Sequence, residues 1–257
     1  MGVALELISG LATAPGATLT AATALTGNSL TVRNAMRGIK MLARFDTRQG
    51  GGASRITSAL LHDSTIGMQH SCPVGQATRL HTVPQRLYAQ DLLGLQIAGS
   101  AVAGDVEHSS LLVAYDDLPG IEARFMSASA VRGRAVNLFE NTITVASGTN
   151  GQYTGQVAVN SAQDAFKANT DYALLGYQVS GAQCHAVRFV GPDWGNLGIG
   201  GPGRIDDVGN SLTVNWFERF EMIPIMSSAN KSLTLLDVAV DENGANPIVT
   251  MCWAELR

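Results

Sequence analysis

Few residues in this sequence have the types and spacing that a metal site or a catalytic site requires. His70 and Cys72 could share a metal ion, because alternate residues of a strand face the same side, but no third ligand stands near them. Cys184 and His185 are adjacent, so in extended backbone their side chains point to opposite sides and do not act jointly as nucleophile and base. We therefore assign neither pair a chemical role.

Two pairs of acidic residues are also adjacent, Asp116-Asp117 and Asp206-Asp207. The two carboxylates of a glycosidase must face one substrate, whereas neighbours in a strand face opposite sides, so turn and capping roles are favoured. The sequence thus identifies no catalytic residue, no cofactor-binding residue and no metal ligand. It predicts a protein that is not an enzyme and has no cofactor.

The glycine-rich string from 198 to 203 satisfies the spacing of a dinucleotide-binding loop. That motif works when a strand leads into it and the N-terminus of a helix follows to bind the pyrophosphate. Here Pro202 lies inside the string and strand-like sequence follows, so a loop whose glycines adopt positive φ is the better prediction.

Aromatic residues are sparse but lie close together in the second half, at Trp194, Trp216 and Phe220. Alternation along a strand places Trp216 and Phe220 on one face. Packing in a core or an interface is the simpler interpretation. The alternative is a stacking surface for sugar rings, as in a carbohydrate-binding or adhesive β-sandwich of a phage tail or surface fibre.

The chain is poor in charge for its length of 257 residues. Charged residues make up 15% and hydrophobic residues 46%, whereas charged residues usually make up about 25%. A surface with so little charge suggests that partner subunits cover part of it. The net charge of −4 argues against a general nucleic-acid binder.

The basic residues are concentrated near the N-terminus. Residues 1–60 hold six basic residues against two acidic ones. The candidates for contact with phosphate or with an acidic neighbour are Arg33, Arg37, Arg44 and Arg48. A solvated strand face is the alternative explanation for the same residues.

Strand-like segments separated by Gly, Asn, Asp and Pro predict an all-β protein. Residues 1–28 lack periodicity and are expected to form an extended N-terminal arm. Two β-sandwiches are expected to follow, at 29–120 and 121–257, with an irregular stretch at 62–85. One short helix is expected at 161–169, where Ser161 could cap the N-terminus.

A weak internal repeat supports two similar halves. The segment IKMLARFD (39–46) aligns with DYALLGYQVS (171–180), and each precedes a turn and another strand. The halves also end alike, with SLLVAYDDL (110–118) matching IVTMCWAEL (248–256).

With its two β halves, its start LATAPGATLTAATALTGNSLTVRN and its helical segment SAQDAFKAN, the chain resembles the double jelly-roll major capsid proteins of tailless icosahedral viruses. The resemblance implies jelly-roll-like sandwiches, trimeric capsomers and a place in the virion after synthesis in the host cytoplasm. The implied partners are copies of this chain and other capsid proteins, with weak contact to the genome or an internal membrane left open, and no small-molecule substrate is implied. The four arginines would face the particle interior or pair with acids of a neighbour.

Overall fold

The structure is a computed structural model and describes residues 2–146, 149–153, 155–204, 212–216 and 221–257. Phe220 and the Asp206-Asp207 pair therefore lie outside the described residues.

The first half is built from nine strands in two sheets. The strands are β1 (Val3–Thr13), β2 (Thr20–Ala21), β3 (Thr23–Ala24), β4 (Gly38–Arg48), β5 (Gly52–Thr57), β6 (Met68–Cys72), β7 (Gly75–Arg86), β8 (Gly94–Ala98) and β9 (Val106–Asp116). Sheet 1 has the order β3-β1-β9-β4-β7, and sheet 2 has the order β2-β8-β5-β6.

The second half also forms two sheets. Its strands are β10 (Phe125–Met126), β11 (Ala135–Thr144), β12 (Val157–Ala158), β13 (Asp171–Gly181), β14 (Cys184–Val190), β15 (Gly198–Pro202), β16 (Leu212–Asn215), β17 (Ile223–Ser227), β18 (Leu235–Val240) and β19 (Pro247–Leu256). Sheet 3 has the order β10-β17-β13-β19-β11, with β16 also paired to β13, and sheet 4 has the order β12-β18-β14-β15.

The two halves share one strand order. If the eight main strands of each half are numbered along the chain, one sheet reads 1-8-3-6 and the other reads 2-7-4-5, in both halves. In the second half β16 and β17 together occupy the sixth position. Two four-stranded antiparallel sheets in this order form a jelly roll. The chain is thus two tandem jelly rolls, roll 1 and roll 2, which confirms the predicted all-β class with two sandwich halves.

The internal repeat read from the sequence corresponds to equivalent strands. The segments at 39–46 and 171–180 lie in β4 and β13, the third strands of their rolls. The matched endings lie in β9 and β19, the eighth strands. Tyr115 and Trp253, which align in those endings, are both fully buried.

The N-terminal residues do not form an arm, so this prediction was wrong. Strand β1 pairs with β9 along its whole length, from Val3 opposite Asp116 to Thr13 opposite Val106. Its apolar side chains are buried, with Leu7 and Ile8 at 0% and 1% exposure. Because the core of roll 1 covers one of its faces and the core of roll 2 covers the other, β1 carries a nearly continuous apolar run instead of an alternating one, and no strand period was visible. Roll 1 therefore begins at residue 3 and not at residue 29.

The other local predictions also need correction. Residues 161–169 have bends, a turn and irregular backbone but no helix, and the α-helix α1 (Ala128–Arg134) lies in the connection between the rolls, with Ser127 as its N-cap. The stretch 62–85 contains β6 and most of β7, whose mainly exposed residues gave no apolar pattern. Two 3₁₀ turns lie at Pro192–Trp194 and Ser228–Asn230.

The glycine-rich string is a strand in a crowded place. Strand β15 pairs with β14 and runs over β1, β4 and β9 of roll 1. A Cβ atom on Gly200 would overlap the carbonyl oxygen of Val187, and one on Gly201 would lie 2.8 Å from the Tyr177 hydroxyl. These glycines are needed for close approach, so the predicted positive-φ loop was wrong.

We expect Gly200→Ala to lower the free energy of unfolding by about 2–3 kcal/mol, because the added methyl group meets backbone that cannot move aside cheaply. The matched control is Gly133→Ala in α1, where a Cβ atom meets nothing within 4 Å and the helix should gain about 0.5–1 kcal/mol. Urea unfolding of both variants measures the difference, and equal stabilities would contradict the close packing of β15.

Candidate assembly interface

The contact between the two rolls is made by one face of sheet 1 and one face of sheet 4. At one end this contact is apolar. Leu5, Leu7, Phe45, Leu112 and Ala114 point out of roll 1 and join the core of roll 2. The opposite face of sheet 1 lines the separate core of roll 1, which includes Ile39, Met41, Val113 and Tyr115. The central strands of sheet 1, β1, β4 and β9, are therefore buried on both faces.

A polar region follows along the same contact. Ser9 and Ser110 share a hydrogen bond of 2.8 Å, and the rings of His108 and His185 stack with their centroids 5.9 Å apart. His185 comes from roll 2, and its Nδ1 lies 3.3 Å from the Thr47 hydroxyl of roll 1.

Arg188 connects the rolls on the sheet 4 side. Its guanidinium donates to Asp237 at 2.7 Å and lies 3.9 Å from the ring centroid of Tyr153. It also donates to the carbonyl oxygen of Thr26 at 3.3 Å and to the side chain of Asn28 at 3.4 Å, both in roll 1. Because the side chain is 6% exposed, these charge-assisted contacts are shielded from water.

Roll 1 contains a buried network of charges at one end of its core. Asp46 accepts from Arg48 at 2.9 Å and from Ser54 at 2.6 Å, and Arg44 Nε lies 3.6 Å from its carboxylate. The ring of His70 also donates to Asp46. Arg44 donates to Ser54 at 2.6 Å. Side chains of β4, β5 and β6 form the network, and its two arginines also donate to backbone carbonyl groups of β6 and β9.

The contacts within the network shift the pKa values of its side chains. Burial alone would raise the pKa of Asp46, but the hydrogen bonds from His70 and Ser54 and the charges of Arg48 and Arg44 outweigh it and hold this pKa well below its usual value. Burial lowers the pKa of Arg44 to about 10, against the opposing effect of Asp46. Asp46 and Arg44 therefore both remain ionised near neutral pH.

His70 and Cys72, which the sequence offered as a pair of metal ligands, do not form a reactive site in this network. His70 is directed to Asp46, while the thiol of Cys72 donates to the carbonyl of Pro73 at 3.3 Å. Burial raises the pKa of the Cys72 thiol to about 12, so it is a poor nucleophile and metal ligand at neutral pH. Within the described residues no group of three or more His, Cys, Asp or Glu side chains is arranged to hold a metal ion. No helix in that part of the chain is long and apolar enough to cross a membrane.

The four arginines fall into two groups. Arg33 and Arg37 are about half exposed and pair with Glu6 at 2.9 Å and Asp117 at 3.6 Å. Arg44 and Arg48 are 2% and 0% exposed in the core network. They cannot face a particle interior or a neighbouring subunit, so that prediction was wrong for this second pair.

The aromatic residues form core packing. Trp194 is fully buried and donates its indole N–H to the carbonyl of Ile225 at 3.1 Å, and Trp216 is 4% exposed. Trp216 packs edge-on against Tyr177 and Phe189. Neither tryptophan presents a face to a sugar ring, so they provide no stacking surface.

No described residue covers the outer faces of sheets 2 and 3, and each of these faces is the equivalent of a face that is covered in the contact between the rolls. Sheet 2 occupies the place in roll 1 that sheet 4 has in roll 2, and sheet 3 corresponds to sheet 1. The open face of sheet 3 contains a groove of about 240 Å³ that has one charged residue, Glu140, among its lining residues. Leu138 stands beside it on β11 with 61% exposure.

Arg55 on sheet 2 is the equivalent of Arg188. Each arginine lies on the fourth strand of its roll and pairs in register with a residue of the seventh strand, Gln96 for Arg55 and Asp237 for Arg188. Arg55 donates to Gln96 at 2.8 Å, as Arg188 does to Asp237. The sequence signal for this equivalence is the short match between LQIA (95–98) and LDVA (236–239), which lies outside the segments on which the predicted repeat depended.

The strand order places the chain among proteins made of two tandem jelly rolls. No protein-family model matches the sequence, and no curated protein does. Among solved structures it is similar to the major capsid protein P2 of bacteriophage PM2, with 6% identity, coverage of 99% of this chain and 98% of that chain, and a TM-score of 0.29. The PBSX exported protein XepA gives 9% identity, coverage of 98% and 86%, and a TM-score of 0.28. The major capsid protein of Sulfolobus turreted icosahedral virus gives 7% identity, coverage of 100% and 97%, and a TM-score of 0.28. With TM-scores this low, the fold assignment depends on the strand order and not on these similarities.

We expect Asp46→Ala to lower the free energy of unfolding by about 3–5 kcal/mol, because it leaves two buried guanidinium groups without their common partner. The control is Asp116→Ala, which removes an exposed ion pair with Lys40 and should cost about 0–1 kcal/mol. Chemical denaturation at pH 7 measures both values. A small effect of Asp46→Ala would show that water reaches the network.

Proposed function

We propose that this protein assembles with copies of itself into the shell of a virus capsid. The observation that supports the proposal is the contact between the two rolls, which the chain already makes once within itself. The open face of sheet 3 and the open face of sheet 2 are the equivalents of the two faces that make this contact. A second chain can therefore add its roll 1 to roll 2 of the first chain through the same kind of packing.

The contact is heterologous, because one face of a roll meets a different face of the next roll. Contacts of this kind either close into a ring or continue as an open filament, depending on the rotation that each one introduces. Three chains of two rolls would make a ring of six similar rolls, the outline of the expected trimeric capsomer. A hexagonal unit of this kind tiles a closed shell together with other capsid proteins at its vertices.

The low charge of the chain fits this role. Several of its few charged residues are buried inside the fold, including Arg44, Asp46, Arg48, Arg188 and Asp237. The open sheet faces are correspondingly poor in charge and rich in Thr, Ser and Gln. Covering such faces costs less hydration energy than covering charged ones, provided that the new subunit offers hydrogen-bond partners to the polar side chains.

A place in the virion follows from this function, with copies of the chain and other capsid proteins as partners. Arg33 and Arg37 remain available for contact with a genome, an internal membrane or a neighbour, since they are about half exposed.

Jelly rolls also occur in lectins, but the burial of Trp194 and Trp216 gives the carbohydrate-binding alternative no support.

The mass of the purified protein in solution, measured by light scattering across a range of salt concentrations, tests self-assembly. A mass three times that of the chain, or that of a closed particle, is expected. A monomer at micromolar concentration would contradict the proposal.

Arg55→Glu tests the faces that we assign to the contact. Charge reversal at the position equivalent to Arg188 should weaken the association by at least about tenfold, because a buried interfacial charge would lose its partners. Arg79→Glu is the matched control, since Arg79 is exposed on the edge strand β7 and lies on neither open face. Trimers of Arg55→Glu as stable as those of the control would show that sheet 2 does not form the contact.

A further inference from the structure

Two buried histidines meet where the rolls touch. His108 lies on β9 and points out of roll 1, and His185 lies on β14 and points towards it. Their rings stack at 5.9 Å with an angle of 24° between the ring planes. They are 1% and 0% exposed, so neither ring has contact with bulk water.

The hydrogen bonds of this pair suit neutral rings. One nitrogen of each ring has a hydroxyl partner: Nδ1 of His185 lies 3.3 Å from the Thr47 hydroxyl, and Nδ1 of His108 lies 3.4 Å from the Ser110 hydroxyl. The two Nε2 atoms are buried and have no hydrogen-bond partner in the described structure. A neutral ring can leave Nε2 as an unprotonated acceptor, whereas a charged ring must bury a second N–H donor there.

The charged groups around the pair oppose a positive charge. From β4, Arg48 donates to the backbone carbonyl of His108, and Asp46 is already held by Arg44, Arg48 and His70. From β9, Glu107 accepts three backbone N–H groups of residues 49, 50 and 100. Strand β1 contributes Ser9 and Leu11, while Asp241 and Arg204 act on the neighbouring thiol of Cys184. A protonated ring would thus lie closer to Arg48 and to the other histidine ring than to any carboxylate that is free of other partners.

The direction of the pKa values agrees with this geometry. Burial, with Arg48 adding to it, lowers the pKa of His185 to about 3. Burial, His185 and Arg48 hold the pKa of His108 well below its usual value, and Asp46 offsets only part of this effect.

We propose that the His108–His185 pair makes the contact between the two jelly rolls sensitive to acid. Near neutral pH both rings are neutral and stacked, and the contact is at full strength. In acid, proton uptake by these histidines is possible only when the contact opens, so falling pH weakens the packing of roll 1 against roll 2. This inference depends on the contact within one chain and holds whether or not the chain forms a shell. If a shell forms, the pair would give it a built-in weakness in acid.

The sign of the effect follows from linkage. In the unfolded chain a histidine has a pKa near 6.5, whereas His185 in the fold has a pKa of about 3. Between these values the unfolded chain binds a proton that the folded chain does not. Stability is therefore complete above about pH 6.5 and is lost as the pH falls towards the folded pKa. Each histidine should raise the unfolding equilibrium constant by up to about tenfold per pH unit in this window.

Urea unfolding from pH 7.5 to pH 4.5 tests the proposal on the unassembled chain. The variants are His108→Gln with His185→Gln, and His62→Gln as the control, since His62 is an exposed histidine. The wild type and the control should lose stability in parallel as the pH falls. For each pH unit of acidification, the unfolding equilibrium constant of the double variant should rise by up to about a hundredfold less than that of the wild type, because two sites of proton uptake are gone. Identical pH profiles of the wild type and the double variant would overturn the proposal.

A second measurement applies if the double variant does not fold. The ring carbon and nitrogen signals of His108 and His185 in the wild type report protonation directly by NMR. Both rings should remain neutral at pH 5, where a free histidine is mostly protonated. Titration of either ring near pH 6.5 in the folded protein would overturn the proposal independently of any variant.

Discussion

The burial of the central strands of sheet 1 on both faces is the constraint on which the rest of the structure depends. One face lines the core of roll 1, and the other carries Leu7, Phe45 and Leu112 into the core of roll 2. Neither roll is complete without this sheet in place. The central strands β1, β4 and β9 must therefore be apolar or internally paired on both sides, and β15 must be nearly bare of side chains where it crosses them.

A sheet enclosed in this way cannot send its polar residues into water, so they are satisfied locally. On the roll 1 side, Asp46 gathers Arg44 and Arg48 into one network. On the roll 2 side, Thr47, Ser110 and the two histidines occupy the polar part of the contact. Breaking one member of such a group leaves its partners buried without compensation, which costs more than the group contributes when intact. This asymmetry favours one register and one arrangement of the rolls.

The duplication of the roll also explains how a fold can lead to assembly. Each of the two sheet faces that pack together inside the chain has an equivalent face elsewhere, on sheet 3 for sheet 1 and on sheet 2 for sheet 4, and nothing in the described residues covers those equivalents. Arg188, inside the contact, has found Asp237, Tyr153 and the backbone of roll 1. Its equivalent Arg55 donates to Gln96 and is half-buried. The difference between these two environments is what a neighbouring subunit would remove.

The sequence alone determined the all-β class, the two halves and the equivalence of their third and eighth strands, because turn residues and β-branched runs act over a few residues. It also indicated a surface short of charge. It did not show that residues 3–13 are a central strand, because a strand covered on both faces has no alternation to read. The tertiary structure also determined which of the four arginines are buried. Arg44 and Arg48 look like Arg33 and Arg37 in the sequence, yet they lie in a core because Asp46, Ser54 and His70 come together there from separate strands. The pairing of His108 with His185, 77 positions apart, likewise exists only because two sheets from different rolls pack face to face.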